Sequence, residues 1–308
     1  MELLVFGAGA LGSLLGGLLA REHDVTLVGR EPHVSRVESD GLRIAGEIEA
    51  HVRPAATTDA TGARSELALV TTKARDLDAA RDALATGDHR IVLPLSNGLP
   101  EDGLRETLGD RVLGGTTTYG ARLVEPGHVR CTGVGAVHVG EVGEGADDIT
   151  TETEGEPSAR AERVAAAFRA AGIDCTADGR MDRRRWEKLA VNAGINPVTA
   201  LIRVENSALA DGPAAAVAER AARETARVAR AVGVEVSEER AARRTREVVE
   251  TTAANHSSML SDVERGRPTE VAAINGTVVE RGEAVGVETP TNRTLFELVC
   301  AWEARHVE

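Results

Sequence analysis

The hexapeptide Gly7-Ala8-Gly9-Ala10-Leu11-Gly12 restricts this chain more than any other segment. It follows the apolar run Leu3-Leu4-Val5-Phe6 directly and precedes a helical pattern that begins near Leu11. In that setting the first glycine permits a tight turn and the second lets backbone approach a pyrophosphate. The third packs helix on strand and aims the helix N-terminus at the anion. Glycine turns alone are common. Here a second strand, Asp24 to Val28, follows in order, so the six residues read together as a dinucleotide site.

The second strand ends in Val28-Gly29-Arg30-Glu31. A carboxylate at such a strand end holds a ribose 2′-hydroxyl, whereas an arginine pairs with a 2′-phosphate; Arg30 therefore favours NADPH. Glu31 keeps NADH open, because it can turn inward and accept from the hydroxyl. Lys73 closes the strand Leu67 to Thr72 at the carboxyl edge of the sheet, where ligands bind in such folds. It reads either as a cation holding the cofactor or the substrate carboxylate, or as an exposed loop residue.

Short apolar runs alternate with helical patterns over residues 1 to 120, which predicts a parallel sheet covered by helices. Its strands are expected at Glu2 to Phe6, Asp24 to Val28, Leu67 to Thr72, Ile91 to Leu95 and Val112 to Thr116. An antiparallel hairpin, His128 to Thr132 with Ala136 to Val142, follows. Gly143 to Pro157, rich in Gly, Glu and Asp, reads as an exposed, mobile loop. A helix over Ser158 to Gly172 and a last strand over Ile173 to Ala177 complete the first domain. From Met181 onward the pattern is helical: Pro213 to Val232, Ser237 to Val263 with Ser237 as N-cap, Thr269 to Gly282 after the break Gly266-Arg267-Pro268, and Thr291 to Arg305. The expected architecture is thus α/β, a Rossmann-like dinucleotide-binding domain over residues 1–178 followed by an all-α domain over 179–308.

Composition narrows the partners. A formal charge of −13 argues against a nucleic-acid surface, which needs clustered basic residues. No apolar run reaches the roughly 18 residues of a membrane span, so the chain reads as soluble. The N-terminus lacks a basic leader region and reads as a first strand rather than a signal peptide. Cys131, Cys175 and Cys300 are unclustered, which argues against a disulfide framework or a zinc site and fits a reducing cytoplasm. No metal ligand set is expected. Acidic excess, scarce lysine and 2% aromatics also read as adaptation to a salty interior, since high-GC codon bias accounts for the arginines but not for the charge.

Of 36 basic side chains only two are lysines, Lys73 and Lys188. An ammonium group can give up a proton and regain it, which guanidinium does not do at usable pH. Lys188, Asn192 and Asn196 are spaced by four, so a helix stacks an ammonium and two amides on one face, and Pro197 ends or kinks that helix directly after. Amides on an apolar-flanked face are costly unless paired, which implies a polar ligand or an internal network. A turn at Asn196-Pro197 explains Asn196 alone but not Lys188 and Asn192.

With these residues the chain resembles the ketopantoate reductase (2-dehydropantoate 2-reductase) family over nearly its whole length. The likeness runs through the glycine motif, Arg30, the segment at Lys73, Ser96-Asn97-Gly98, Trp186-Glu187-Lys188 with Asn192, Asn196-Pro197-Val198-Thr199-Ala200-Leu201 and Asn206. It continues through Asn255 to Asp262 and Thr269-Glu270-Val271-Ala272-Ala273-Ile274-Asn275-Gly276. The resemblance implies reduction of 2-dehydropantoate to (R)-pantoate by hydride from a nicotinamide, on the route to coenzyme A. It makes Lys188 the proton donor to the ketone oxygen and gives substrate-binding roles to Asn192, Asn196, Asn206 and Ser258. Asn97 falls at the nicotinamide and substrate side, Glu270 is the carboxylate that contacts the bound ligands, and Ala121 is a backbone contact to cofactor. The expected partner is a small 2-oxoacid, with a homodimer as open as a monomer. A related 2-oxoacid or imine reductase is the alternative enzyme, and a non-catalytic NADP(H) sensor the alternative of another class. Bland explanations stand beside three of these residues: Glu270 suits a helix's first turn through the dipole alone, Ser258 can back-bond within its helix, and His256 matches no role.

Overall fold

The structure, a computed structural model, describes residues 1–143 and 155–307. Residues 144–154, most of the expected loop, lie outside the described part. The described residues fall into two compact units. The first comprises Met1–Ser96, Pro100–Val142 and the residues leading to Met181; the second comprises Asn97–Leu99 and the chain from Asp182 onward.

In the first unit the strands are β1 (Glu2–Phe6), β2 (Asp24–Val28), β3 (Leu42–Gly46), β4 (Ala50–Val52), β5 (Ala55–Thr57), β6 (Arg64–Val70), β7 (Asp88–Pro94), β8 (Gly114–Thr117), β9 (Gly120–Glu125), β10 (His128–Gly133), β11 (Val137–Gly140) and β12 (Cys175–Ala177). Helices α1 (Ala10–Leu19), α2 (His33–Asp40), α3 (Leu77–Ala85), α4 (Pro100–Leu108) and α5 (Ala159–Ala170) accompany them. Five strands form a parallel sheet in the order β5-β2-β1-β6-β7. Its strands read as unbroken apolar runs because both faces are buried. Leu3, Val5, Leu67, Leu69, Ile91 and Leu93 point into one cluster with α1 and Phe168 of α5. Leu4, Ala68, Val70 and Val92 point into another with Leu84 and Leu104.

The expected strands β1 and β2 appear with the bounds read from the sequence, while the expected fifth strand does not join this sheet. Val112 makes an isolated parallel bridge to Val92, and β8 pairs antiparallel with β11 in a three-stranded sheet, β12-β11-β8. The expected hairpin of His128 to Thr132 with Ala136 to Val142 is likewise corrected. β10 pairs antiparallel with β9 and parallel with β3, while β11 pairs with β8 and β12. Two adjacent amphipathic strands need not face each other when each finds a more distant partner.

The second unit is helical: α6 (Met181–Ile202), α7 (Gly212–Ala231), α8 (Glu238–Thr251), α9 (Ser258–Glu264), α10 (Thr277–Ala284) and α11 (Pro290–His306). Ser237 caps α8 as expected, its Oγ accepting from Arg240 N–H. The expected single run to Val263 is broken at residues 252–257, where Ser257 caps α9 by accepting from Leu260 N–H at 3.0 Å. Pro197 does not end α6, which continues to Ile202. A π-helical turn, Ala272–Gly276, precedes α10, so the segment expected as one helix from Thr269 is not uniform. The helix α6 is buried on most sides: Trp186, Leu189, Ala190 and Ala193 enter one cluster, and Val191, Ile195 and Val198 another. No described helix is long and apolar enough to cross a membrane.

Candidate active site

In the first unit the parallel sheet reverses its order at β1 and β6, and ligands bind such sheets outside the strand ends at this point. The glycine turn leaves β1 there. Gly7 sits at φ +106°, left-handed backbone that glycine tolerates, and a Cβ on it would lie 2.7 Å from Thr72 N. Gly12 is equally closed, since a Cβ would meet Gly7 O at 2.3 Å and Thr71 Oγ1 at 2.4 Å. Gly9 differs, because its nearest neighbour to a Cβ is Gly7 O at 3.9 Å. No close contact within the protein requires a glycine there. Gly9 also precedes α1 as its N-cap and carries no side-chain cap. These features fit a dinucleotide pyrophosphate at the helix N-terminus.

Thr71 fixes the turn from β6, its Oγ1 donating to Gly7 O at 2.9 Å. Thr72 Oγ1 beside it is buried with no hydrogen-bond partner among the described residues. Behind the loop, Ser13 Oγ donates to Ala8 O at 3.2 Å, and His33 Nε2 lies 3.0 Å from Ser13 Oγ. Gly127 N–H donates to His33 Nδ1 at 3.0 Å, so Nε2 carries the proton and donates to Ser13. Burial holds the His33 pKa below its ordinary value, consistent with a neutral ring. No local sequence pattern marks Thr71, Ser13 or His33 for these contacts, which join residues 5 to 94 positions apart.

Arg30 is exposed, and its Nη2 pairs with Asp76 Oδ1 at 2.9 Å. Glu31 is engaged elsewhere, accepting from Ser35 Oγ at 2.6 Å and from Ser35 N–H at 3.3 Å. The inward-turned Glu31 weighed from the sequence is therefore not the conformation found. Lys73 is half-buried directly before the short 3-10 turn Ala74–Asp76. Ala121 lies in β9 opposite Cys131.

In the second unit, three residues separated widely in sequence form one chain. Asn97 Nδ2 donates to Glu270 Oε2 at 2.9 Å, and Asn192 Nδ2 donates to Asn97 Oδ1 at 3.3 Å. Each amide group is thereby oriented. Gly98, at φ +87°, lets the segment lie against the π turn, where a Cβ would come within 2.5 Å of Ala273 O. Glu270 is buried and Thr269 Oγ1 accepts from Val271 N–H at 3.2 Å, holding the start of the helix that follows.

Lys188 and Asn192 are both half-buried on α6, one turn apart, with Asn196 buried a turn further. Glu187, next to Lys188, is held by an ion pair with Arg240 of α8. Two expected substrate residues are not drawn into the amide chain. Asn206 is buried and donates to Thr252 Oγ1 at 2.8 Å, although its Oδ1 has no partner among the described residues. Ser258 is exposed at the start of α9, while its neighbour Ser257 does the capping and accepts from Thr199 Oγ1 at 2.8 Å. His256 is exposed near Glu264, at 3.3 Å, and Glu205, at 3.7 Å. No cluster able to hold a metal ion occurs among the described residues.

Residues 3–144 match the family model described as "Ketopantoate reductase PanE/ApbA", and residues 180–303 match its C-terminal counterpart, "Ketopantoate reductase PanE/ApbA C terminal". The chain is 42% identical to the 2-dehydropantoate 2-reductase of Halobacterium salinarum, over 97% of this chain and 98% of that protein. A solved PanE/ApbA family ketopantoate reductase from Ralstonia eutropha JMP134 superposes with TM-score 0.86 at 31% identity, covering 99% of each chain. A D-mandelate dehydrogenase solved with NADH and anilino(oxo)acetate superposes with TM-score 0.88 at 25% identity, covering 100% of each chain.

Proposed function

This chain belongs to the ketopantoate reductase family, and from that premise we propose that it reduces 2-dehydropantoate to (R)-pantoate with NADPH, using Lys188 as proton donor. The observation that supports this most is the chain Glu270, Asn97, Asn192 next to Lys188 on α6. A charge-bearing donor and a set of oriented amides is what a 2-oxoacid requires. A ketone carbon that accepts hydride leaves alkoxide charge on oxygen, which a nearby ammonium stabilises and then protonates. Asn192 and Asn196 orient the oxoacid, and Glu270 keeps the Asn97 amide turned so that its oxygen accepts from Asn192.

The backbone of Gly7 to Gly12 would hold the dinucleotide, with Arg30 available to its 2′-phosphate in exchange for Asp76. When bound, that cofactor supplies the hydride to the ketone carbon. Lys188 supplies the proton and regains one from solvent, so the reaction consumes one NADPH and one proton for each pantoate formed.

The test is turnover of 2-dehydropantoate by the purified protein, followed by nicotinamide absorbance with NADPH and with NADH in parallel. Turnover with 2-dehydropantoate and NADPH is expected. The likeness to D-mandelate dehydrogenase favours one other reading, a reductase of a different 2-oxoacid. Activity on the 2-oxoacid of D-mandelate without activity on 2-dehydropantoate would select it. Binding of NADP(H) with no turnover of any oxoacid would instead mark a sensor.

A further inference from the structure

Asn275 belongs to the motif ending Ile274-Asn275-Gly276, and no role has yet been attached to it. It lies in the π turn, fully buried, and its Nδ2 donates both to Ala193 O and to Asn292 Oδ1, each at 3.0 Å. The first of these bonds has a definite origin. Pro197 has no N–H, so the carbonyl four residues earlier on α6, that of Ala193, loses its ordinary helical donor. Asn275 supplies the missing hydrogen from another element. The second bond continues inward: Asn292 Nδ2 donates to Ala221 O at 3.0 Å and to Glu224 Oε2 at 2.9 Å. Glu224, also buried, accepts from Thr291 N–H and Asn292 N–H, both at 2.9 Å, and so satisfies the first turn of α11.

Asn275 thus joins α6 to the turn that follows Glu270. Asn192 is the residue before Ala193, and Glu270 lies five residues before Asn275, with Asn97 bridging the two. Any drift between these elements breaks the amide chain. The Oδ1 of Asn275 is buried with no partner among the described residues, a cost to stability that a merely structural amide has no reason to carry. π turns inside helices are frequent at functional sites.

We propose that Asn275 is a positioning residue for the oxoacid site: it replaces the backbone donor lost at Pro197 and so fixes the spacing between Asn192 and Glu270. The inference rests on the functional reading given above, since it assumes that these residues bind substrate. It places Asn275 out of contact with substrate and cofactor.

The experiment is a double-mutant cycle with Asn275→Ala, Pro197→Ala and the double variant in the full chain. Pro197→Ala restores an N–H at position 197 that can bond Ala193 O. Asn275→Ala in the wild-type background should lower kcat about tenfold or more, because displacement of reacting groups is costly, while NADPH affinity stays unchanged. In the Pro197→Ala background the same substitution should cost less than about threefold, because the restored N–H already competes with Asn275 for Ala193 O and the link that the substitution removes is weakened beforehand. An equal loss in both backgrounds overturns the link to Ala193, and a lowered Tm with unaltered kcat reduces Asn275 to a structural residue. Should Asn275→Ala fail to fold, Asn275→Ser takes its place, since its hydroxyl can bond within its own turn. Wild-type protein that leaves 2-dehydropantoate untouched would defeat the functional reading instead. The melting temperatures of the same four proteins then decide this link alone: non-additive shifts support it and additive shifts overturn it.

Discussion

Around Gly7 to Gly12 in the first unit, the groups offered to a ligand are backbone, and the arrangement depends on what is missing. Gly12 leaves no room for a methyl group beside Gly7 O, whereas a methyl group on Gly9 would make only an ordinary contact with Gly7 O at 3.9 Å. In the second unit the offered groups are side chains, and the arrangement depends on partners: Asn192 on Asn97, Asn97 on Glu270, Asn275 on Ala193. The difference teaches where substitutions act. In the first unit they act through space and should move cofactor affinity, and in the second they act through donors and acceptors and should move turnover.

The strongest test of that division is Lys188. General acid catalysis contributes roughly 10²- to 10⁴-fold, so Lys188→Ala should lose turnover by about that factor while NADPH binding, measured by fluorescence titration, stays intact. Lys188→Arg keeps the charge but scarcely donates a proton, and should recover little. Substantial recovery with Arg would make Lys188 an electrostatic anchor; wild-type rates in both variants would remove it from the mechanism.

Next in size are two glycines of one turn that should behave differently. Gly12→Ala forces a methyl against Gly7 O and should lower Tm, as overpacking that costs about 1–3 kcal/mol does. Gly9→Ala should leave Tm unchanged and still weaken NADPH roughly ten- to hundredfold, because only the ligand meets the new methyl. Equal drops in Tm would erase the distinction between closed and open glycines.

A smaller effect is expected at Arg30, whose side chain is mostly solvated. Arg30→Asp should raise KM for NADPH by about tenfold or less and leave that for NADH equal or lower, because hydrogen bonds to charged groups contribute about 1.5–3 kcal/mol before solvent screening. Unchanged NADPH preference would shift suspicion to Glu31 or Lys73.

The smallest effect concerns pH. His33 is buried and its pKa is lowered from 6.5. Above that value the ring is neutral in both folded and unfolded chains and contributes no pH dependence. As pH falls through it, the unfolded chain takes up a proton that the folded chain resists, so stability decreases. Tm should therefore decline on acidification below about pH 6.5, and His33→Gln should flatten part of that slope. His89, also lowered by burial, should leave a remainder. An unchanged slope in the variant would mean that His33 does not set the pH response behind the glycine turn.

What the sequence determined by itself was whatever depends on near neighbours along the chain. The strand, glycine turn and helix at the N-terminus follow from steric rules within a dozen residues, and β1 and β2 have the expected bounds. Ser158 and Ser237 cap their helices by bonding amides three residues on, and the four-residue spacing of Lys188, Asn192 and Asn196 fixes their common face. Tertiary structure decided the pairings, because an alternating strand records which face is buried but not which strand lies beside it. So β10 chose β9 and β3, and β8 left the parallel sheet for β11. The same holds for the site. That Asn97 would stand between Asn192 and Glu270, and that the donor missing at Pro197 would come from Asn275, are contacts across 95, 173 and 82 residues of chain. Hydrogen bonds of that separation form only when packing brings the elements together, and no local spacing encodes them.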